Sequence, residues 1–229
     1  MNDRSGNEHQ IHEVENFQQL ISVPFSGNTN ALAWKRSLKG NFSEIADTIE
    51  GRDDIIEIGQ DELRALELSE QGQLARKVIL EDLQLLKDYG AAPVLNLITR
   101  YERDASFFPT DVYSFHVDRS PIPTATFLCT YLGASSAILP NKQAEQKIAI
   151  PEVRAELKKL FHGTDEAFEA FLEEYFFDLH YQEKQGAQAI NLGVGNLWKL
   201  AVDHPKSEVL PCIHRAPNEQ NEKRLLLIC

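Results

Sequence analysis

The apolar pattern of the chain changes at Pro93, and this change limits the possible fold more than any other feature. Before Pro93, leucines recur at near-helical spacing across 69–89 and Gly90 follows, which predicts a long helix. Shorter helices are predicted at 41–50 and 61–68, and a short strand at 30–34. After Pro93, runs rich in apolar and β-branched residues are separated by proline and glycine, which predicts strands. These runs cover 94–101, 112–117, 124–132, 137–139, 189–202, 210–214 and 224–228.

Two helices are predicted to interrupt the strands. One covers 151–161 with Pro151 in its first turn, and the next follows Thr164 with an apolar stripe from Phe168 to Leu179. The order of helices, strands, helical insertion and strands favours an α+β fold with an antiparallel β core. We therefore expect a single domain over 1–229. Its expected parts are a flexible tail (1–12), a mainly helical segment (13–90) and a β core (91–229) with a helical insertion at 151–186.

The balance of charged residues excludes several classes of function. Lys and Arg number 23 and Asp and Glu number 35, which gives a net charge of −12 and disfavours nucleic-acid binding. No run of 18 apolar residues exists, so no membrane span is expected, and the polar N-terminus has no signal-peptide pattern. The three cysteines are widely spaced and form no CxxC motif, which argues against a disulfide framework. These features predict a reduced, cytoplasmic protein that binds neither nucleic acid nor a membrane.

The sequence His116-Val117-Asp118 is the strongest candidate for a functional site. In a strand, residues two apart point to the same face, so the imidazole and the carboxylate would share a face, with Cα atoms about 6.6 Å apart. His214, on a separate predicted strand, could complete a triad of two histidines and one carboxylate. Such a triad leaves coordination positions open and suits non-haem Fe(II) oxygen chemistry. Arg224 follows His214 by ten residues and could hold a carboxylate bidentately beside the metal.

Other residues leave alternatives open. Cys212 lies two positions before His214, so its thiolate could close the site and favour zinc, or it could be a small core residue. Arg119 and Arg215 could orient an anionic substrate, although pairing with surface acids is the preferred interpretation. A β-rich interaction protein without any metal also fits the pattern. Three histidines have no partner at ligand spacing and are expected to be solvated: His162, His180 and His204.

The His-x-Asp motif, the distal histidine and the following arginine resemble those of the Fe(II)/2-oxoglutarate-dependent oxygenases. The resemblance implies a double-stranded β-helix, a cupin-like jelly-roll core. It implies that His116, Asp118 and His214 bind Fe(II). It also implies that Arg224 pairs with the far carboxylate of 2-oxoglutarate, and Tyr131 is a further candidate donor to that co-substrate. The substrate to be oxidised would be a small or amino-acid-like molecule that the sequence does not identify.

A closer resemblance covers most of the chain and involves an uncharacterised bacterial family, known as a domain of unknown function. It rests on the blocks NALAWKR at 30–36, FHVD at 115–118, CTYLG at 129–133 and HRAP at 214–217. Members usually continue the third block as G-x-G-T-E-W-L-P, whereas 133–140 reads GASSAILP here. The missing Gly, Thr-Glu pair and Trp imply a different substrate. The family's genes tend to accompany zinc-homeostasis genes, which implies a zinc-binding, non-catalytic protein as the alternative.

Overall fold

The computed structural model describes residues 10–51, 53–218 and 222–229 of the chain. Positions 1–9 of the predicted flexible tail lie outside the described residues. The end of that tail was predicted wrongly, because Ile11–Val14 forms the first strand and pairs in parallel with Ala31–Trp34. Among the described residues, no helix is both long enough and apolar enough to span a bilayer.

The α-helices of the described residues form two groups, four before the main strands and two between them. Their bounds are α1 Phe17–Ser22, α2 Phe42–Thr48, α3 Gln60–Ala65, α4 Glu70–Tyr89, α5 Pro151–Leu160 and α6 Phe168–Tyr175. The helix predicted at 69–89 is confirmed as α4. The Ser69 side chain caps it by accepting the Gly72 N–H, and Gly90 ends it with a φ of 96°. The helix predicted after Thr164 is shorter than expected, because the backbone leaves the helical region after Tyr175.

The strands of the described residues form two sheets. They are β1 Ile11–Val14, β2 Ala31–Trp34, β3 Ile55–Glu57, β4 Val94–Ile98, β5 Phe115–His116, β6 Ala125–Leu132, β7 Ala137–Ile138, β8 Ala144–Gln146, β9 His180–Glu183, β10 Ile190–Asn191, β11 Leu197–Ala201, β12 His214–Arg215 and β13 Arg224–Ile228. The larger sheet has the order β1-β2-β11-β6-β13-β4-β3, and the smaller one the order β10-β7-β12-β5-β9-β8. All neighbouring strands are antiparallel except β1 and β2. The chain therefore has the predicted α+β fold with a mainly antiparallel β core.

Alternation along the central strands separates two layers of apolar side chains. Cys129 and Tyr131 of β6 pack with Leu83 of α4 in a cluster that joins the larger sheet to the N-terminal helices. Leu128 of the same strand packs with Ile138 of β7 in a second cluster, which lies between the two sheets. Each strand of the larger sheet therefore has a helix-facing side and an inner side. A polar residue on an inner side lies in a largely apolar space between the sheets.

Two predicted strands are much shorter than expected, and four strands of the described residues were not predicted: β1, β3, β8 and β9. The prediction for 210–214 is wrong for most of its length, since Pro211 has no N–H and the Cys212 N–H donates to the Ala201 carbonyl. The prediction for 112–117 reduces to the two residues of β5. β9 has the polar sequence His-Tyr-Gln-Glu and is extended because it pairs with β5 and β8. Pairing with neighbours, not local sequence, fixes these short strands.

Candidate metal centre

The segment 115–118, which begins with β5, presents His116 and Asp118 to the space between the sheets. Its other face carries Phe115 and Val117, which are buried in an apolar cluster with Ile213. Burial of these alternate residues fixes the register, because a slip by one position would expose them and bury the polar pair. His116 and Asp118 therefore share one face, as the spacing predicts.

The three predicted ligands converge. His214 of β12 is the direct antiparallel partner of His116, and their ring centroids are 4.7 Å apart. The distance from His214 Nε2 to Asp118 Oδ2 is 3.7 Å. One potential ligand atom of each of the three residues lies within 4.8 Å of the others. Two imidazoles and one carboxylate at these separations can coordinate a single divalent ion after small side-chain adjustments.

Backbone carbonyl groups orient both imidazole rings. His116 Nδ1 lies 2.8 Å from the Ser114 carbonyl oxygen, and His214 Nδ1 lies 3.2 Å from the Cys212 carbonyl oxygen. A carbonyl oxygen can only accept a hydrogen bond, so Nδ1 of each ring carries the hydrogen. In the neutral ring, Nε2 then keeps its lone pair and is the atom able to coordinate. Metal-binding histidines commonly have this second hydrogen bond, which holds the ring and raises its basicity.

The carboxylate and the imidazoles differ in burial. The Asp118 side chain is 36% exposed, whereas that of His214 is 9% exposed. The Thr126 hydroxyl of β6 donates to Asp118 Oδ2, which links the carboxylate to the larger sheet. Burial, together with the neighbouring His214, lowers the pKa of His116 below its ordinary value and favours the neutral, coordinating ring. The site thus has one buried imidazole, His214, one half-buried imidazole, His116, and an open side next to the carboxylate.

The Cys212 thiol is not part of this group. Its side chain is fully buried in the cluster between the sheets, and among the described residues only the two histidines and Asp118 form the group. Burial, with Asp118 nearby, raises the pKa of the Cys212 thiol well above its ordinary value. The thiol therefore lies outside the group of converging ligand atoms and in the apolar cluster, as the core interpretation of Cys212 predicts.

Arg224 lies on the inner face of β13, at some distance from the triad. Its guanidinium donates to the Tyr101 hydroxyl at 3.1 Å, to Thr130 Oγ1 at 3.2 Å and to Ser136 Oγ at 2.9 Å. Gly133, with a φ of 79°, permits the close approach of the Lys223 backbone at the start of β13, because a Cβ there would lie 2.6 Å from the Lys223 carbonyl oxygen. Within the described residues, Arg224 forms no ion pair with a carboxylate, and its Nε is buried without a partner.

Two contacts along β6 allow the distance between Arg224 and the triad to be estimated. Thr126 contacts Asp118 and Thr130 contacts Arg224, and both threonines point to the inner face. Four residues of a strand span about 13 Å. Leu128, 3% exposed, lies between the two threonines on the same face. Arg224 therefore shares the inner face with the triad, as predicted, but does not lie directly beside it.

The prediction for Tyr131 is wrong. Its hydroxyl donates to Asp82 Oδ2 at 2.7 Å, and its ring stacks on Phe42 at a centroid distance of 5.4 Å. These contacts belong to the helix-facing side of the larger sheet, opposite to the side that carries Arg224. The reason is the alternation along β6: Thr130 points inward, so Tyr131 points outward.

The accessory arginines also lie away from the triad. Arg119 is half-exposed and forms ion pairs with Asp178 and Asp203, as the preferred interpretation predicts. The Arg215 guanidinium stacks on the Phe115 ring at 4.3 Å, on the outer face of the smaller sheet. Neither side chain points toward the three ligands, because each alternates with a residue of the triad along its strand.

His180 is a functional candidate that the sequence pattern did not indicate. It was expected to be solvated, but it is 7% exposed and pairs with His116 across β9 and β5. The ring centroids of His180 and His116 are 5.7 Å apart, and His180 Nδ1 is buried without a partner. Burial, together with His116 and Lys147, lowers the pKa of His180 to about 4. His180 thus stands behind His116 as a neutral, buried ring.

No family model matches the chain, and no curated protein matches it significantly. The resemblances described from the sequence motifs therefore stay predictions. The function proposed below depends on the side chains of the site.

We expect the unfolding free energy of the metal-free protein to fall as the pH drops from about 6.5 to about 4. The unfolded chain protonates His180 near its ordinary pKa of 6.5, whereas the folded chain does so only near 4, so protons favour unfolding in this interval. The shift is worth up to about 3 kcal/mol, and no further loss from this group follows below pH 4. Urea unfolding at a series of pH values measures it. His180→Phe should flatten the profile, and His162→Gln, at an exposed ring, should not.

Proposed function

We propose that the chain is an Fe(II)/2-oxoglutarate-dependent oxygenase that oxidises a small or amino-acid-like substrate. The observation that carries the proposal is the convergence of His116, Asp118 and His214, with both Nδ1 atoms already hydrogen-bonded to carbonyl oxygens. Two nitrogens and one carboxylate oxygen on one side of an ion leave the other positions free for substrate and oxygen. The two facing, mainly antiparallel sheets support a double-stranded β-helix as the finer description of the fold. Three unpaired cysteines support the cytoplasm as its location.

Each residue of the metal centre would have a separate role. His116 and His214 would supply neutral Nε2 atoms, and the Asp118 carboxylate would supply negative charge on the exposed side of the site. Thr126 would hold that carboxylate in place. When bound, Fe(II) would supply oxygen activation coupled to oxidative decarboxylation of 2-oxoglutarate to succinate and CO2. The apolar cluster between the sheets would exclude water from the inner side of the site.

The environment of Arg224 supports an acidic co-substrate. The guanidinium is 5% exposed, has only neutral partners among the described residues, and keeps one N–H without a partner. Burial without a counter-ion lowers its pKa below the ordinary value. A bound carboxylate would remove the free-energy cost of the unpaired buried charge and that of the unpaired N–H, because it would pair with the guanidinium and accept the remaining hydrogen bond. Contact of one dicarboxylate with both the metal and Arg224 would require a rearrangement that displaces Leu128 and shortens the separation of about 13 Å.

The second candidate function is zinc binding without catalysis. Two imidazoles, one carboxylate and a water molecule form a common zinc coordination set, and the same three residues provide it. Elemental analysis of protein purified without added metal separates the two candidates. Tight zinc at one ion per chain, with no response to 2-oxoglutarate, would favour the zinc-binding protein.

The oxygenase proposal is tested by succinate formation. Protein freed of metal is mixed with Fe(II), ascorbate and 2-oxoglutarate in air, and succinate is measured by mass spectrometry. We expect uncoupled turnover of 2-oxoglutarate even without a substrate, and no turnover when Zn(II) replaces Fe(II), since zinc has no redox chemistry. The absence of succinate together with no thermal shift on adding 2-oxoglutarate would contradict the proposal.

Changing Arg224 to methionine should weaken 2-oxoglutarate binding at least tenfold and leave metal affinity unchanged. A hydrogen bond between charged groups contributes about 1.5–3 kcal/mol, and the co-substrate would supply the carboxylate partner that Arg224 lacks among the described residues. Isothermal titration of the Zn(II)-loaded protein with 2-oxoglutarate measures the change, and Arg64→Met on the exposed side of α3 is the matched control. Equal 2-oxoglutarate affinity in Arg224→Met and the unmodified protein would show that Arg224 does not bind the co-substrate.

A further inference from the structure

A cleft of about 1030 Å³ lies where the open edges of the two sheets meet. Its lining includes Ile11 and Glu13 of β1, the edge strand of the larger sheet, and Ile190 and Asn191 of β10, the edge strand of the smaller sheet. None of the three metal-centre residues lines it. Ile190 is in register with Ile138 of β7, which is in register with His214. Two strand spacings, about 10 Å, therefore separate the cleft edge from the candidate metal centre.

The lining of the cleft is polar and nearly uncharged. Eight of the twenty residues that line it are asparagine or glutamine. Of its three charged residues, Glu13 and Lys35 neutralise each other in an ion pair, and Lys142 carries the remaining charge. The lining has one aromatic residue, Trp198, which is 2% exposed and donates its indole N–H to the Leu192 carbonyl. The cleft thus offers amide groups instead of an ionic site or an exposed aromatic face.

The side chains of Gln10, Asn30 and Asn141 are joined by hydrogen bonds and form one fixed wall of the cleft. Asn30 Nδ2 donates to Asn141 Oδ1 at 2.9 Å and to the Leu210 carbonyl at 2.9 Å. The Asn141 N–H donates to Gln10 Oε1 at 2.9 Å, and Asn141 Nδ2 donates to the Pro211 carbonyl at 3.0 Å. Asn30 and Asn141 donate from their side-chain NH2 groups to carbonyl oxygens, and Gln10 accepts an N–H with its side-chain oxygen. A flipped amide could not make these contacts, so the orientation of each side chain is determined. The wall is therefore preorganised and loses little entropy when a ligand binds.

Two atoms of this wall have no hydrogen-bond partner. Asn30 Oδ1, on a side chain 2% exposed, is a buried acceptor, and Gln10 Nε2 is a buried donor. Leaving such a group unpaired costs about 1–3 kcal/mol, so an unpaired donor and acceptor in one wall point to a missing partner. A peptide group has one N–H and one C=O and would satisfy both. An inorganic anion would satisfy only the donor.

We propose that the cleft binds an extended, uncharged peptide segment of a partner protein through its backbone amides. Both bordering strands favour this ligand, because β1 pairs only with β2 and β10 only with β7 among the described strands. Each keeps one edge of N–H and C=O groups available for a further strand. The lack of an exposed aromatic face disfavours carbohydrate, and a lining with a net charge of only one disfavours a highly charged ligand. This proposal does not depend on a metal.

The test uses the full chain without metal and the peptide acetyl-Gly-Ala-Ser-Ala-amide as the probe. Backbone and side-chain amide signals are followed by two-dimensional NMR during titration, with methyl glucoside and inorganic phosphate as comparison ligands. We expect the peptide to shift the side-chain amide signals of Gln10, Asn30 and Asn141 in a saturable way. The proposal would be overturned if methyl glucoside or phosphate, and not the peptide, shifted these signals. It would also be overturned if the peptide shifted only signals of residues outside the cleft.

A matched pair of variants separates recognition from folding. Gln10→Glu keeps an oxygen to accept the Asn141 N–H and loses only the Nε2 donor, so the wall stays formed. We expect it to weaken peptide binding roughly fivefold to tenfold, the loss of one hydrogen bond. Gln60→Glu adds the same charge at α3, retains its contact with Arg64, and should bind as the unmodified chain does. Equal peptide affinity in Gln10→Glu and Gln60→Glu would overturn the proposal.

Discussion

Changing His214 to alanine is expected to lower the affinity for a divalent metal by roughly 100-fold or more. His214 Nε2 lies 3.7 Å from Asp118 Oδ2, and its ring is 4.7 Å from that of His116, so it closes the group on its buried side. Loss of a residue that only supports a ligand already costs 10–100-fold, and loss of a ligand should cost more. Isothermal titration of the metal-free protein with Zn(II) and with Co(II) measures the effect.

Controls distinguish loss of a ligand from loss of structure. His162→Ala removes an exposed imidazole that follows α5 and should leave metal affinity unchanged. His116→Ala should reproduce the loss seen with His214→Ala, because both rings are required. Circular dichroism and a cooperative urea transition check that each variant is folded. Metal affinity within twofold of the unmodified protein in a folded His214→Ala variant would refute the triad.

Changing Asp82 to alanine is expected to lower the unfolding free energy by about 3–5 kcal/mol. Asp82 of α4 accepts two hydrogen bonds from Arg36, at 2.6 and 2.8 Å, and one from the Tyr131 hydroxyl at 2.7 Å. The Asp82 side chain is 3% exposed and that of Arg36 is 9% exposed, so the variant leaves a buried cation unpaired. Equilibrium urea unfolding at pH 7 measures the loss.

The same helix offers a control for this second prediction. Asp88→Ala removes an exposed carboxylate of α4 whose partner is Gln84, and it should cost less than about 1 kcal/mol. The double variant Arg36→Met with Asp82→Leu removes both charges and should recover most of the lost stability. If Asp82→Ala and Asp88→Ala cost the same, the ion pair does not hold α4 on the sheet.

Local signals predicted the elements that carry them. α4 is bounded by Ser69 and Gly90, and both act as the sequence predicts. β6 and β13 are apolar runs with few polar interruptions, and both are long strands in the structure. The pairing of His116 with Asp118 followed from the two-residue period of a strand. These features depend on neighbours within a few positions, so the sequence is sufficient to find them.

Features set by contacts distant in sequence were predicted less well. His180 is polar, lies in a polar segment, and is buried only because β9 pairs with β5. Tyr131 was predicted to share a site with Arg224, but the adjacent Thr130 is the residue of β6 that faces Arg224, so Tyr131 points to the opposite side. The separation of Arg224 from Asp118 depends on the register of β6 against β13, which includes an irregularity between Leu225 and Leu226. No local pattern contains that information.

Anomalous diffraction from a crystal grown with Fe(II) under nitrogen would test the metal centre most directly. We expect one peak at the iron edge, about 2.0–2.3 Å from Nε2 of His116, Nε2 of His214 and a carboxylate oxygen of Asp118. The Cys212 sulfur should lie outside the coordination sphere. A map with no peak among these three side chains, at a metal concentration that saturates binding in solution, would mean that they do not form a metal site.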